Sequence, residues 1–433
     1  MTTGKLTASR PRSFGSTEND ANARDRDKLL NKQHGLNMKH HFGYAASFVM
    51  IVTMVPSLSF TQTVEDSLHQ QRSASATVIG GYGNAFFQRD DNAAVSTINL
   101  QRVVLFVGHT FGSVSFFSEL EVEDAKVAGG EQGGEIAFEQ AYLKFNLGPR
   151  HYLTAGLFIP RIGILNEHHL PTDFSGNERP QVETKIIPST WRELGIGFYG
   201  QPQDPPINYS IAIVNGLNSA AFEHGTGIRG GRFEGREATA NNLAVTGSIQ
   251  YYAGSLRLQG SGYYGGSVGA APSAADTLGL SGGLFGTPVA LGEADILYEA
   301  DRVSVKIMGV LVSIPNAFEI NRAYASHTPS REYGAYAEIG YYLLEGPAEA
   351  LMVFARYERL DLTAAIPSNA APDGTLKQNH VIVGASYFPA TNVVVKADAR
   401  FSNTAEQNPL FAGGSGPYKQ SNVVLNLGIG YSF

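Results

Sequence analysis

Apolar side chains alternate with small or polar ones through much of the chain after residue 75. In the last segment, NVVLNLGIGYSF, one face carries Val423, Leu425, Leu427, Ile429, Tyr431 and Phe433. The other face carries Val424, Asn426, Gly428, Gly430 and Ser432. A period of two residues is that of a β-strand with one apolar face and one small or polar face.

Three further segments repeat this pattern with charged residues on the polar face. NVVVKADARF sets Val393, Val395, Ala397, Ala399 and Phe401 against Lys396, Asp398 and Arg400; SFFSELEVED sets Phe116, Leu120 and Val122 against Glu119, Glu121 and Glu123; EADILYEA sets Ala294, Ile296 and Tyr298 against Glu293, Asp295 and Glu299. A soluble sandwich would bury the apolar face, whereas a membrane barrel would turn it to lipid and the polar face to a wet lumen. The number of strands and the lengths of their connections distinguish the two folds.

The alternating pattern predicts sixteen strands. They lie near 75–88, 97–111, 113–127, 135–147, 151–163, 193–201, 207–217, 242–253, 256–268, 287–300, 303–315, 332–344, 349–362, 378–389, 393–403 and 422–433. The even-numbered connections are tight turns. The odd-numbered ones are long after the first two: 164–192, 218–241, 269–286, 316–331, 363–377 and 404–421. Outer-membrane barrels have this layout, with short turns on the periplasmic side and longer loops outside.

We therefore predict an all-β fold: a sixteen-stranded antiparallel up-and-down transmembrane β-barrel whose third long loop folds inward. This loop is the third odd-numbered connection, residues 164–192. Many of the strands are longer than those of soluble sheets and approach the roughly 9–11 residues that cross a bilayer when tilted. A closed barrel also pairs every backbone polar group in lipid, which an open sheet does not. An even strand number leaves both termini on the side of the short turns.

Composition agrees with this prediction. Charged residues make up 16% of the 433-residue chain, against roughly 25% in an ordinary soluble domain. The chain has no cysteine, which excludes disulfides, thiolate zinc sites and thiol catalysis. Removing the 8 bases and 4 acids of the first 61 residues from the totals of 32 and 39 leaves 24 bases and 35 acids, a net charge of −11. This acidic remainder argues against a nucleic-acid partner.

The N-terminal part has a different character. We expect residues 1–37 to be a disordered upstream extension that is not part of the native protein, with Met38 as the true start. Residues 38–61 have a basic start, an apolar stretch and small residues at the end, as a secretory signal peptide does. We expect residues 62–74 to form a short periplasmic leader, too short for a plug domain, and 75–433 to form the barrel.

A sixteen-stranded barrel is wide enough to leave an aqueous channel. In general porins the third long loop folds into the lumen and narrows it, and polar residues there set size and charge preference. We therefore predict a constriction formed by Glu167, His168, His169, Asp173, Glu178, Arg179, Glu183, Lys185, Trp191 and Arg192. Trp191 is expected to anchor the loop where it rejoins the wall.

The polar strand faces give the predicted lumen lining: Glu119, Glu121, Glu123, Lys144, Arg257, Glu293, Asp295, Lys306, Glu338, Arg356, Glu358, Lys396, Asp398 and Arg400. Acids outnumber bases here, which favours cations over multivalent anions. The last strand ends in Tyr431 and Phe433, an aromatic terminus of the kind common in bacterial outer-membrane barrels, and we expect the barrel-assembly machinery to recognise it. The other expected partners are outer-membrane lipids and small solutes or ions, and neither a cofactor nor a metal is expected.

The stretch from Gly156 to Gly200 resembles the central region of the phosphate-selective porin O and P family. The matching elements are Gly156–Phe158, Gly163, Asn166–Glu167, Glu178–Pro180, Glu183–Thr184, Ile187–Pro188, Thr190–Trp191 and Gly195–Gly197. LFVGHTFGSVSFFSELEVEDA, GIRGGR and YAEIGYYLLEGPAEALMVFARYERLD resemble the same family, so the likeness spans most of 75–433. The resemblance implies a sixteen-stranded porin in the outer membrane of a Gram-negative-type bacterium, usually a homotrimer. Phosphate selectivity is not carried over, because the family's ladder of inward arginines is replaced here by a mixed, mainly acidic lining.

Other interpretations of the charged residues are weaker. Adjacent histidines on a loop rarely point at one ion, so a metal site of His168 and His169 with Glu167 and Asp173 is not favoured. Glu178, Arg179, Glu183 and Lys185 show no pairing of nucleophile and base. Arg229, Arg232 and Arg236 fit either anion capture at the mouth or packing against a neighbouring subunit. A passive channel is the favoured function, and the alternatives are a membrane-embedded enzyme or a sealed barrel serving as adhesin or scaffold.

Overall fold

The computed structural model describes residues 75–124, 134–202, 204–222, 224–346, 349–407 and 419–433. Within these ranges sixteen antiparallel strands form one closed barrel, as the alternation predicts. The strands are β1 Thr77–Asp90, β2 Val95–Phe111, β3 Val114–Glu123, β4 Ile136–Gly148, β5 His151–Phe158, β6 Glu193–Gly200, β7 Ile207–Asn215, β8 Leu243–Ala253, β9 Leu256–Gly265, β10 Val289–Ala300, β11 Val303–Ser313, β12 Arg331–Glu345, β13 Ala350–Ala365, β14 Lys377–Ala390, β15 Val393–Thr404 and β16 Ser421–Ser432. The segments expected at 1–37, 38–61 and 62–74 lie outside the described residues.

The barrel closes between its first and last strands. β1 pairs with β16 over a register that runs from Tyr82 opposite Ser432 to Asp90 opposite Val424. The amide N–H of Gly81 donates to the carbonyl oxygen of Phe433 (3.1 Å), and that of Phe433 donates to Gly81 (2.9 Å). Because every strand has two neighbours, the sheet has no open edge whose backbone N–H and C=O groups would lack partners in lipid.

The connections at the two ends of the barrel differ in length. At one end the strands meet through 112–113, 149–150, 201–206, 254–255, 301–302, 346–349 and 391–392. At the other end the connections are 91–94, 124–135, 159–192, 216–242, 266–288, 314–330, 366–376 and 405–420. Three short α-helices lie in the described parts of these longer connections: α1 Val182–Lys185, α2 Pro272–Leu278 and α3 Ala317–Tyr324.

The outer surface of the barrel is apolar. Ile98, Ile249 and Leu427 expose 84%, 61% and 57% of their surface, and exposed residues alternate with buried ones along the strands. An apolar band facing outward is what lipid, rather than water, requires of a barrel. Among the described residues no helix has both the length and the apolar character needed to cross a membrane.

Candidate pore constriction

The connection from β5 to β6, residues 159–192, is the longest of the barrel and has an apolar core of its own. Ile162, Leu165, Val182, Ile186 and Ile187 expose 2% or less of their surface. The residues of this segment predict mainly a polar loop, but these five side chains make it a compact unit. Its polar residues are therefore held in defined positions rather than being free in solvent.

Glu183 fixes the internal arrangement of this connection. Its Oε2 accepts the backbone N–H of Leu165 (2.7 Å) and its Oε1 accepts the hydroxyl of Tyr336 on β12 (2.6 Å). The backbone of Gly163, with φ +76°, lies so close to the Glu183 carboxylate that a Cβ at this position would be 2.9 Å from Oε2. Burial raises the pKa of Glu183 to about 7, although both hydrogen bonds favour the charged form.

One group of polar and charged side chains attaches the connection to the first four strands; we call it the acidic cluster. It consists of Tyr82, Arg102, Glu119, Glu121, Glu139 and His169. His169 Nε2 lies 2.9 Å from the Tyr82 hydroxyl, 3.2 Å from Glu139 Oε2 and 3.9 Å from Glu119 Oε1. Arg102 Nη1 lies 3.2 Å from Glu121 Oε1 and 3.9 Å from Glu139 Oε1. Three carboxylates thus share one guanidinium and one imidazole.

A second group attaches the connection to the opposite wall; we call it the ion-pair cluster. It consists of Glu178, Lys306, Glu338, Arg356, Glu358 and Arg400. Arg356 bridges Glu358 (Nε to Oε1, 2.8 Å) and Glu338 (Nη1 to Oε2, 3.1 Å), and Glu178 pairs with Arg400. Ser175 Oγ donates to Glu338 Oε1 (2.9 Å). Acids and bases are equal in number here.

Further hydrogen bonds join the connection to other strands around the barrel. The peptide N–H and the side-chain amide of Asn177 both donate to Asp398 Oδ2 on β15 at 2.7 Å. Four more bonds run from Gln259 Nε2 to Gly163 O (2.9 Å), Lys306 Nζ to Asp173 O (3.3 Å), Lys185 Nζ to Gln378 Oε1 (3.0 Å) and Lys396 Nζ to Phe174 O (2.6 Å). These bonds reach β9, β11, β14 and β15, in addition to the strands of the two clusters.

Glycines on the strands leave the space that these contacts need. A Cβ at Gly428 on β16 would lie 2.0 Å from Asn177 Oδ1, and one at Gly430 would lie 2.6 Å from Pro171 Cβ. On β12, a Cβ at Gly334 would lie 2.8 Å from the side chains of Val182 and Ile186. The small residues that alternate with the apolar face of β16 thus lie directly against the connection.

The arginines of the next long connection brace this one. Arg232 Nη1 donates to the carbonyl oxygens of Pro188 (2.8 Å) and Thr190 (3.0 Å). Arg229 Nη1 donates to the carbonyl oxygens of Thr184 and Ser189, both at 3.1 Å. These bonds differ from both roles that the sequence suggested, anion capture and contact with another subunit. Arg236 is exposed in the same connection.

A polar cavity of about 230 Å³ lies between the two connections and the wall. Five arginines and five glutamates line it together with Ala137, Ser189 and Thr190: Arg102, Arg179, Arg192, Arg229 and Arg232, and Glu121, Glu123, Glu135, Glu139 and Glu234. Burial lowers the pKa of Arg179 and of Arg232 to about 10, so both stay charged at neutral pH. The cavity therefore presents both signs of charge at close range.

The remaining residues predicted for the constriction occupy separate environments. Glu167 pairs with Arg161 (2.6 Å). Burial, together with Arg257 and Arg161, lowers the pKa of His168 to about 3, so His168 is neutral. Burial raises the pKa of Asp173 to about 6.

Trp191 is completely buried just before β6, where its ring packs against Tyr263 (centroids 4.8 Å apart). Its Nε1–H donates to Glu193 Oε1 (2.7 Å). Arg192 pairs with Glu234 (3.3 Å).

The residues predicted to line the lumen alternate with the exposed apolar positions. Those that are buried are Glu119, Glu121, Lys144, Arg257, Glu293, Asp295, Lys306, Glu338, Arg356, Glu358 and Lys396, and those that are half-buried are Glu123, Asp398 and Arg400. Arg257 pairs with Asp295 (2.8 Å), and Ser261 Oγ donates to Glu293 Oε2 (2.5 Å). Glu299, near the end of β10, is exposed.

Three members of the acidic cluster were not predicted from the sequence: Tyr82, Arg102 and Glu139. Two β-bulges explain why alternation was a poor guide here. The pairing of β1 with β2 shifts between Asn84 and Ala85, opposite Arg102. The pairing of β3 with β4 shifts between Glu119 and Leu120, next to Glu139. A bulge places an extra residue in one strand, so counting by twos no longer assigns the faces.

The barrel resembles several solved structures in its fold. The barrel is similar to the anion-selective porin from Comamonas acidovorans (TM-score 0.53, 12% identity, 83% of this chain and 100% of that chain). It is also similar to the outer membrane channel DcaP of Acinetobacter baumannii (TM-score 0.51, 13% identity, 83% and 98%) and to Salmonella typhi OmpF in complex with daunomycin (TM-score 0.51, 12% identity, 83% and 98%). The fold is therefore porin-like: a closed sixteen-stranded β-barrel with an apolar outer band.

A comparison of sequences identifies a relative of the chain. The chain is 33% identical over 336 residues, 74% of each sequence, to an uncharacterized protein of Aquifex aeolicus (strain VF5), and it belongs to the same family as that protein. No protein-family model matches the sequence.

Proposed function

We propose that the protein is an outer-membrane porin, a water-filled channel through which small hydrophilic solutes or ions diffuse passively. In this proposal the 159–192 connection folds into the lumen and narrows it. The observation that carries the proposal is the set of contacts from this one connection to β3 and β4 through His169 and to β11 and β12 through Asp173 and Ser175. In a closed sheet of sixteen strands these are opposite walls.

The width of the barrel supports an open path beside the connection. Barrels of about eight strands are filled by side chains, whereas those of 16–18 strands leave an aqueous channel. The polar cavity next to Arg179 and Glu234 is a candidate for part of that path. Its paired arginines and glutamates would give strong local fields at a narrow point, which is how porins discriminate among solutes.

We propose a weak preference for cations and no phosphate selectivity. Acids exceed bases on the predicted lumen lining, but many are neutralised in pairs such as Arg257–Asp295 and Arg356–Glu338. A group that is paired at close range contributes little net field to the pore. The resemblance to the porin O and P family therefore extends to the architecture and not to its anion.

The proposed assembly follows the same resemblance. We infer a homotrimer in outer-membrane lipid, inserted by the barrel-assembly machinery through the C-terminal strand with Tyr431 and Phe433. Phe433 exposes 64% of its surface, so its ring is accessible to a partner. Deleting Phe433 should lower the amount of folded protein in the outer membrane, while the mass of the native oligomer in detergent tests the trimer.

Conductance of the purified protein in a planar lipid bilayer tests the function. The proposal predicts discrete current steps. In a KCl gradient it also predicts a reversal potential displaced towards the equilibrium potential of K⁺, as a weak preference for cations requires. Stable insertion without current steps would favour a sealed barrel. Hydrolysis of ester or peptide substrates that is abolished by one substitution in the barrel would favour an embedded enzyme. A strongly anion-selective current would contradict the proposed lumen lining.

A further inference from the structure

The imidazole of His169 is oriented so that one nitrogen faces two carboxylates. Its Nδ1 lies 3.0 Å from the carbonyl oxygen of Asn166, so this nitrogen carries a hydrogen and donates it. The other nitrogen, Nε2, points towards Glu139 and Glu119. A backbone carbonyl on one ring nitrogen is the usual arrangement when the other nitrogen binds a metal.

Negative charge around this nitrogen is in excess. Glu119, Glu121 and Glu139 are all buried, with exposed fractions of 4%, 3% and 0%. Arg102 lies close to Glu121 and Glu139, and Gln140 donates to Glu119 Oε2 (2.9 Å). Buried carboxylates at this density are unfavourable unless they are paired, take up protons or bind a cation, so a cation among them would be stabilising.

The distances match a small divalent ion. Bonds of about 2.1 Å to nitrogen and carboxylate oxygen put tetrahedral ligand atoms about 3.4 Å apart. The corresponding separations here are 3.2 Å from His169 Nε2 to Glu139 Oε2 and 3.9 Å from Nε2 to Glu119 Oε1. One donor atom from each of the three residues falls within 4.8 Å of the others. The Tyr82 hydroxyl, 2.9 Å from Nε2, borders the remaining position.

We propose that Glu119, Glu139 and His169 form a binding site for one divalent metal ion of the zinc class. Imidazole with two carboxylates is a donor set that Zn²⁺ accepts, with a fourth position left for water or the Tyr82 hydroxyl. Glu119 belongs to β3, Glu139 to β4 and His169 to the 159–192 connection. The metal would therefore clamp the connection to the wall, and the site does not depend on whether the barrel conducts.

This set of ligands differs from the metal site of His168 and His169 with Glu167 and Asp173 that was not favoured from the sequence. His168 contributes nothing to it, and Glu167 is paired with Arg161. Adjacent histidines do point in different directions here, and only His169 meets carboxylates from the wall. His168 is consequently a matched control for any effect of His169.

Metal titration of the purified, chelator-treated protein tests the site. Cobalt(II) reports the coordination through its visible absorption, and zinc should displace it; mass spectrometry of the dialysed protein gives the amount bound. We expect one ion per chain above the amount bound by His169→Ala. His169→Ala and Glu139→Gln should each weaken binding by roughly 100-fold or more, because even outer-shell partners change metal affinity by about 10- to 100-fold.

His168→Ala should bind as the unchanged protein does. Heat-modified migration on gels checks that each variant folds, and Glu119→Gln replaces His169→Ala if the latter does not fold. Zinc should also raise the unfolding temperature of the unchanged protein but not of Glu139→Gln. The proposal is overturned if the unchanged protein takes up no more metal than folded His169→Ala or Glu119→Gln, or if His168→Ala removes the binding.

Discussion

The acidic cluster and the ion-pair cluster attach the same connection to opposite walls by different chemistry. In the ion-pair cluster Arg356 lies between Glu338 and Glu358, Lys306 and Arg400 complete the set, and acids equal bases. In the acidic cluster three carboxylates meet Arg102 and His169. The first attachment is complete without any further ion. The second, counted over its own members, has more acids than bases, and its strength should depend on whether a cation is supplied.

This difference shows why a count of inward charges is a poor predictor of the electric field in a pore. Charges that are paired across strands hold the wall and the connection together and contribute little to the field in the lumen. Unpaired charges shape that field or bind ions. The same residue type thus serves two purposes, and its neighbours on adjacent strands decide which.

The largest expected effect comes from breaking the ion-pair cluster. Arg356→Met leaves Glu338 and Glu358 buried without their shared partner, and removing one side of a buried pair is destabilising by about 3–5 kcal/mol. The free energy of unfolding in urea from lipid vesicles measures this. Arg359→Met, three residues along the same strand on the exposed face, is the control and should change stability by less than about 1 kcal/mol. Equal losses in the two variants would refute the assignment of a buried pair.

A steric change should loosen the connection next to the ion-pair cluster. Gly428→Leu places a side chain where Asn177 now lies, and overpacking of this kind is destabilising by about 1–3 kcal/mol. We expect the connection to be displaced and single-channel conductance to change, measured in a bilayer. Gly309→Leu adds the same side chain at a position with open space within 4 Å and should leave the conductance unchanged.

Neutralising one acid should have opposite consequences in the two clusters. In metal-free protein, Glu119→Gln removes a charge from a group with excess acid, so stability should stay within about 1 kcal/mol of the original or rise. Glu338→Gln removes a partner of Arg356 and should lower stability. Unfolding curves of the two variants test the difference, and a similar loss in both would show that the acidic cluster is already balanced.

The smallest expected effect is a change of selectivity with pH. Burial raises the pKa of Asp173 to about 6, above its usual value, so its carboxyl loses its charge as the pH falls through about 6. The cation-to-anion permeability ratio should therefore fall between pH 8 and pH 5. Because the pKa is raised on folding, the contribution of Asp173 to stability is present at low pH and is lost as the pH rises through about 6.

Reversal potentials across this range measure the ratio. Asp173→Asn should remove the step near pH 6, whereas Asp301→Asn, in the exposed turn between β10 and β11, should retain it. An unchanged step in Asp173→Asn would assign it to another group.

The barrel itself could be predicted from the sequence because its signal is local. Alternation along β10 and β16, and the contrast between the 301–302 turn and the 159–192 connection, require no knowledge of what lies across the lumen. The apolar side chains on one face of each strand are sufficient, since lipid imposes the same requirement on every strand.

The candidate constriction could be predicted only in part because its contacts join residues far apart in the chain. Alternation shows that Glu338 and Arg356 face the same way, but not that Ser175 donates to one of them. The bulges beside Arg102 and Glu139 disrupt the period of two where the acidic cluster forms. Gly428 and Gly430 were visible on the polar face of β16, but their closeness to Asn177 and Pro171 follows only from the folded connection.

Accessibility of a single engineered cysteine tests most directly whether the connection lies in the conducting path. The chain has no cysteine, so Glu178→Cys introduces a unique thiol at a position whose side chain is 31% exposed. Single-channel current is recorded before and after a bulky cationic thiol reagent, with Ile211→Cys on the outer face as control and mass spectrometry to verify labelling. We predict a stepwise fall in current for Glu178→Cys alone. Full labelling of Glu178→Cys with undiminished current would contradict a constriction formed by this connection.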